Sequence, residues 1–142
     1  MKMDYNFSEP FRVRYAEIDG QRIVFNSHYL TYMDHALFSY FRHLLSDDLN
    51  FLYEENMFEH VLTHLEMDFM GSGGLDDILE VYVKITRLGT TSFDVNFLIR
   101  KQGEDTDLIK AAARYVCISL NPKKSKKIPD AVRNKIIFFE KL

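Results

Sequence analysis

The sequence predicts an α+β protein in which one long, broadly apolar helix packs against one antiparallel sheet. Three observations carry that prediction. From about Ser27 to Leu45 apolar residues recur at helical spacing, and from Val61 onward the period drops to two. The connections between the later strand runs are of hairpin length, which makes most of the sheet antiparallel. The chain has 142 residues, 46% hydrophobic and 27% charged, so residues 1–142 are expected to form a single globular domain.

A first strand is expected over about Phe7 to Tyr15. In the long helix, Tyr29, Leu30, Met33, Ala36, Leu37, Tyr40, Phe41 and Leu44 form one wide apolar face. Asn26 or Ser27 is expected as its N-cap, because either side chain accepts from unpaired N–H groups of a first turn. Asp47, Asp48 and Asn50 break the pattern, and a short second helix follows through Leu52. In the next strand Val61, Thr63, Leu65, Met67 and Phe69 alternate with Leu62, His64, Glu66, Asp68 and Met70. Gly71, Gly73 and Gly74 punctuate it. Leu79, Val81, Val83 and Ile85 define a third strand, and Phe93, Val95, Phe97 and Ile99 a fourth. Gln102-Gly103-Glu104-Asp105 reads as a hairpin turn with glycine at a positive φ. A last long strand spans roughly Leu108 to Leu120, five strands in all. Lys123, Lys124, Lys126 and Lys127 mark a basic loop, after which Pro129 suits the first turn of a C-terminal helix.

Composition also excludes several classes. A net charge of −3 leaves no electrostatic footprint for nucleic acid. Cys117 is the sole cysteine, so no intrachain disulfide is possible. No apolar run approaches the roughly 18 residues that span a bilayer, and the N-terminal stretch lacks a signal-peptide pattern, so a cytoplasmic protein is expected. Twelve Phe and eight Tyr, with no Trp, supply either a core or a subunit interface.

The stretch from Arg12 to Tyr32, RVRYAEIDGQRIVFNSHYLTY, resembles the signature of the 4-hydroxybenzoyl-CoA thioesterase-like family. That signature is a strand ending in an acid, a short loop, then Val-aromatic and a polar tripeptide opening the long helix. Glu66-Met67-Asp68-Phe69, Asp76 to Val81, and Arg87 to Phe93 continue the likeness, which runs from about Phe11 to Pro129. The resemblance implies a hot-dog fold, in which a curled antiparallel sheet of about five strands wraps a long central helix. It also implies a homodimer or homotetramer with active sites at the dimer interface, an acyl-CoA substrate, and thioester hydrolysis to free acid and CoA. No cofactor beyond the CoA of the substrate and no metal is expected.

Within that resemblance Asp19 aligns with the catalytic acid. Its carboxylate has two routes open, direct attack on the thioester carbonyl or general-base activation of water. The oxyanion partner would be backbone N–H groups near Phe25, Asn26 and Ser27, because a helix N-terminus presents unpaired donors and a positive dipole end. Three positions depart from the family pattern. Arg22 stands where glycine is common and is a candidate contact for an anionic substrate. Asn26 stands where many members carry His, and His28 where they carry Asn or Ser. Asn26 and His28 are therefore catalytic candidates, to orient the thioester and assist proton transfer. His28 reads equally as an ordinary first-turn residue. Phe25 and Tyr29 are substrate-binding candidates, as are Thr90, Thr91 and Ser92, which also read as a plain hairpin cap.

Glu17 shares the strand face of Asp19 and reads as a solvated charge. His64, Glu66 and Asp68 share one strand face, with neighbours roughly 6–7 Å apart. Glu66 and Asp68 are kept as pocket candidates beside the plainer reading of an exposed polar face. His60 and His64 would stand roughly 13 Å apart along a strand, too far to share a metal ion. Cys117 alternates with core positions and reads as a small buried hydrophobe. The lysine loop suits either the CoA nucleotide phosphates or solvent. Two alternatives stand beside acyl-CoA hydrolysis: an acyl-carrier-protein thioesterase, and a non-catalytic acyl-binding protein. A hydratase is disfavoured, because Asp19 and His28 lie nine residues apart with a helix start between them.

Overall fold

The structure is a computed structural model that describes residues 4–54 and 57–142, so the reading of Met1 to Met3 lies outside it. Strand β1 (Ser8–Arg12) leads through a 3₁₀ turn (Tyr15–Glu17) to helix α1 (Asn26–Leu44) and the short α2 (Asn50–Tyr53). Strands β2 (Glu59–Phe69), β3 (Ile78–Leu88), β4 (Ser92–Lys101), β5 (Asp107–Leu120) and β6 (Lys123–Ser125) precede helix α3 (Asp130–Glu140). The sheet order is β1-β3-β4-β5-β2, every pair is antiparallel, and β6 pairs with β5. The short β6 is a sixth strand inside the segment expected as a basic loop.

The period-two runs place alternate residues inward, as pleated strands must. Leu79, Val81, Val83 and Ile85 of β3 are fully buried, and so are Phe93, Val95, Phe97 and Ile99 of β4. Tyr29, Met33, Ala36, Leu37, Tyr40 and Phe41 of α1 close over them in the same core cluster. Cys117 is buried there as well. The C-terminal helix is tied to this core by a buried carboxylate. Glu140 accepts from Tyr40 Oη and from the Ile85 amide, each at 2.8 Å. Two polar donors offset the cost of burying that charge.

The other sheet face is polar. Asp94 of β4 accepts from Arg114 and Arg87, which hold its carboxyl far below the usual range. On this face Tyr5 packs on Tyr82 with ring centroids 5.8 Å apart.

One expectation of a single alternation along β2 is corrected. Leu62 pairs with Tyr115 and His64 with Arg114, so Thr63 is a one-residue bulge. A bulge adds one residue to one strand and reverses the facing of everything beyond it. Leu65 and Met67 therefore pack on the core, while on the near side of the bulge His60 and Leu62 face inward beside Cys117 and Tyr115. Val61 goes outward, contrary to the simple alternation.

Two boundary expectations also shift. The first strand ends at Arg12, and Arg14 begins the 3₁₀ turn instead of continuing it. Helix α1 is capped by Phe25, and neither Asn26 nor Ser27 serves as N-cap.

Candidate functional site

Asp19 opens a tight reversal between the 3₁₀ turn and α1. Its amide donates to Ile23 O at 2.9 Å, Arg22 N donates back to Asp19 O at 3.0 Å, and Ile18 bridges Val24. Gln21 N donates to Asp19 Oδ1 at 2.7 Å, which fixes the carboxylate in an Asx turn. No other hydrogen bond among the described residues reaches that carboxylate, so Oδ2 is left free. Arg22 closes the turn with φ +63°, the left-handed conformation that glycine adopts without strain. The glycine usual in the related family fits that backbone angle, and this chain carries Arg there instead.

The helix N-terminus beside this loop is open. The Phe25 amide donates to Glu17 O at 2.9 Å and the His28 amide to Phe25 O at 2.9 Å. No side chain caps the first turn, which leaves the Asn26 and Ser27 amides without a partner among the described residues. Phe25, one of the three expected donors, is thus already used. A cavity of about 570 Å³ lies at the loop, lined by Tyr15, Ile18, Asp19, Gly20, Arg22 and Leu75. Around it Tyr15, Phe25, Phe69, Met70 and Leu75 are all exposed large apolar side chains. Exposed apolar groups gathered at one place mark a surface that meets something else.

Tyr29 is positioned differently from its expectation as a substrate contact. Its ring is buried at 1% exposure and its hydroxyl accepts from Gly73 N at 3.0 Å. It builds the floor of the loop, holding the glycine segment after β2 against α1. Gly73 packs so closely that an added Cβ would lie 3.1 Å from Leu79.

Glu17 is corrected from solvated charge to buried anchor. It is 5% exposed and accepts from the Arg14 amide, Arg14 Nε, Arg14 Nη2 and Tyr32 Oη, the shortest at 2.7 Å. Burial pushes its carboxyl up, but these donors outweigh burial and hold it below the ordinary range. Burial and the Glu17 charge together push the Tyr32 phenol well up. The Arg14-to-Glu17 spacing was the available signal, since it is that of a reciprocal capping box.

The structure thus brings Asp19, Arg22, Phe25, Asn26 and His28 to one end of α1, with Tyr29 beneath. It does not bring the other candidates there within one chain. Glu66 and Asp68 lie on the outer sheet face, and Glu66 Oε1 meets His64 Nε2 at 3.1 Å. Thr90, Thr91 and Ser92 sit at the far end of β3, whose 11 residues separate its ends by roughly 33 Å. There they are tied down structurally: Cys117 N donates to Thr91 O, Ile128 N to Thr90 O, and Arg87 Nη2 to Ser92 Oγ. Among the described residues no group of three or more His, Cys, Asp or Glu could hold a metal ion. No described helix is long and apolar enough to cross a membrane.

The comparisons with known proteins agree with this architecture. The thioesterase superfamily model matches residues 21–107, and the chain belongs to that family. It is 29% identical over 136 residues to the acyl-CoA thioesterase YbgC of Haemophilus influenzae, covering 92% of this chain and 94% of that one. The structure superposes on a 1,4-dihydroxy-2-naphthoyl-CoA thioesterase from Synechocystis with a TM-score of 0.77 at 25% identity, covering 92% and 94% of the two chains. The structure of a predicted thioesterase from Bacillus stearothermophilus has the same fold, with a TM-score of 0.79 at 23% identity and coverage of 94% and 95%. The fold is the hot dog, and the enzyme class is thioester hydrolase.

Proposed function

We propose that the protein hydrolyses acyl-CoA thioesters, with Asp19 as the reacting carboxylate and the α1 N-terminus as its oxyanion hole. The observation that carries this reading is a carboxylate held by one amide, with its second oxygen free, beside a helix start with two unused N–H groups. The relatives named as acyl-CoA thioesterases support the CoA carrier.

The chemistry follows from that arrangement. Asp19 Oδ2 either attacks the thioester carbonyl to give a mixed anhydride that water then opens, or takes a proton from the attacking water. In both routes the carbonyl oxygen becomes an oxyanion, and the Asn26 and Ser27 amides are the donors available to it. Donors of this kind are worth roughly 10²–10³ in rate when lost. Collapse breaks the C–S bond and releases the CoA thiolate, which takes up a proton. The other product is the free acid on the water route. On the nucleophilic route it is the Asp19 mixed anhydride, which water then opens to the free acid. We assign delivery of the thiolate's proton to His28, in the first turn of α1, and orientation of the thioester to Asn26. Arg22 and Phe25 border the entrance and receive the anionic CoA arm and the acyl group.

Two copies complete the site. Strand β2 is a sheet edge with unpaired backbone groups, and antiparallel pairing of two β2 edges keeps both copies equivalent. That pairing sets the Phe69 end of one copy beside the Glu59 end of the other. Thr90, Thr91 and Ser92 of one copy are then on the side of the other copy's Asp19 loop, and the exposed aromatic rim is covered.

The test is thiol release from short, long and aromatic acyl-CoAs and from acyl carrier protein, comparing wild type with Asp19→Asn and Asp19→Ala. The expected result is acyl-CoA turnover and a loss of ~10²-fold or more in kcat for both variants. Variants as active as wild type would remove Asp19 from the mechanism, and turnover of carrier-protein thioesters alone would replace the carrier. Single-turnover hydrolysis in ¹⁸O-water that leaves ¹⁸O on Asp19 identifies the anhydride route, with water opening it at the Asp19 carbonyl.

A further inference from the structure

Asp19 is followed by Gly20, the sole Asp-Gly or Asn-Gly pair in the chain. The fold does not demand glycine at that position. A Cβ added to Gly20 meets nothing within 4 Å, and the left-handed residue of this loop is Arg22, not Gly20. What glycine leaves here is an uncovered amide. Gly20 is exposed, and its N–H has no hydrogen-bond partner among the described residues. The amides on either side are both used, Asp19 N on Ile23 O and Gln21 N on Asp19 Oδ1. The second of these bonds turns the Asp19 carboxyl forward along the chain, past the peptide that carries the Gly20 nitrogen.

A free carboxylate is a poor acyl donor, because it would have to expel oxide. The nucleophilic route of thioester hydrolysis removes that obstacle. While Asp19 is part of a mixed anhydride, its Cγ is an activated acyl carbon whose leaving group is a carboxylate. The Gly20 nitrogen, tethered one bond beyond the Asp19 carbonyl carbon and shielded by no side chain, then competes with water for that carbon.

We propose that Asp19-Gly20 is a self-modification site, at which the anhydride intermediate occasionally cyclises to an aspartyl succinimide instead of being hydrolysed. The bond from Gly20 N to Asp19 Cγ forms, the Cγ–O bond to the acyl carboxylate breaks, and the amide proton passes to solvent. CoA and the free acid are still released, and the protein is left lighter by one water. Water later reopens the imide at either carbonyl. Opening at Cγ restores Asp19, whereas opening at the main-chain carbonyl leaves isoaspartate, with Cβ and Cγ in the chain path. Isoaspartate disables the loop twice over. The Asp19 oxygen that accepts from Arg22 N at 3.0 Å is no longer a peptide carbonyl, and the carboxylate leaves the position where Gln21 N held it. Turnover thus limits the lifetime of its own catalyst. The step rests on the proposed function and on its anhydride route.

The test begins without substrate. A water-soluble carbodiimide activates exposed carboxylates of the full protein, which is then digested at mildly acidic pH, where the imide survives. The peptide carrying Asp19 should lose the mass of one water, and Gly20→Ala should yield at least ~10-fold less of that species. Absence of the species in wild type, or an equal yield in Gly20→Ala, overturns the site. Turnover is tested next with acetyl-CoA, octanoyl-CoA and benzoyl-CoA. Imide and isoaspartate at Asp19 are counted per thiol released, so that a change of rate in the variant drops out. The expected result is accumulation in step with thiol release, and at least ~10-fold less per turnover in Gly20→Ala. Thiol release without modification of Asp19 overturns the self-modification and leaves thioester hydrolysis on its water route. Absence of thiol release from all of these thioesters, in protein that cyclises with carbodiimide, rejects the proposed function and the turnover-driven step with it.

Discussion

At the Asp19 end of the sheet the polar groups are open, strained and close to solvent, whereas at the His60 end they are enclosed by rings. Asp19 has one backbone donor, an exposed Arg22 at positive φ and an uncapped helix start beside it. His60 Nδ1 has no hydrogen-bond partner among the described residues and is enclosed by packed rings, while the Tyr115 phenol faces Asp34. Reactive groups need freedom to reach a substrate, which packed walls deny. A smaller contrast lies inside the first region. Glu17 and Asp19 are two residues apart; one carboxylate takes four hydrogen bonds and the other takes one. Satisfaction makes Glu17 part of the scaffold, while Asp19 keeps one carboxylate oxygen without a hydrogen-bond partner among the described residues.

The largest effect expected from breaking this contrast is on rate. Asp19→Asn keeps the Asx turn acceptor, so its unfolding midpoint should match wild type while kcat falls by ~10²-fold or more. An equal fall in stability would make Asp19 a scaffold residue like its neighbour.

Next is a pH effect at the enclosed end. His60 has its pKa pressed from 6.5 to about 4 by burial, with Asp34 of α1 and Tyr115 of β5 facing it. Between those two values the unfolded chain binds a proton that the folded chain does not. Stability from this group is therefore complete above pH 6.5 and is lost as pH falls toward 4, by up to about 3 kcal/mol. Denaturant unfolding from pH 7.5 to 4.5 should show that slope in wild type and a shallower one in His60→Gln. Identical slopes would mean that the ring is not shielded from protons.

Glu17→Gln is expected to cost about 2 kcal/mol, because the Arg14 guanidinium loses its charge partner and one buried acceptor becomes a donor. Turnover by the folded fraction should stay within about threefold of wild type, measured under conditions where both remain folded. A rate loss as large as that of Asp19→Asn would erase the distinction between the two carboxylates. The smallest effect is at Arg22. Glycine there relieves a left-handed residue, and Arg22→Gly should raise stability by about 1 kcal/mol. If KM for acyl-CoA rises in the same variant, Arg22 also meets the anionic arm; unchanged KM confines it to the loop.

Much of this architecture was legible in the chain. Period 3.6 in α1 and period 2 in β3, β4 and β5 follow from local geometry, and burial of one face follows from that period. The proximity of Asp19, Arg22 and Asn26 was legible because they lie within one short loop and the helix turn that follows it, where sequence distance and spatial distance nearly coincide. Glu17 was misread because its partners reach it by two routes. Arg14 is local, but Tyr32 comes from two turns into α1 and closes over it only when the helix packs. His60 was passed over for a different reason. The Thr63 bulge is a choice of register made by β5 against β2, and a single-residue slip decides which face every side chain of the segment takes. By itself, then, the sequence determined the elements, their order, the apolar faces and the loop that carries Asp19, since each depends on neighbours along the chain. The tertiary structure decided which polar groups are satisfied and which are not, because hydrogen-bond partners and burial come from strands and helices far apart in sequence.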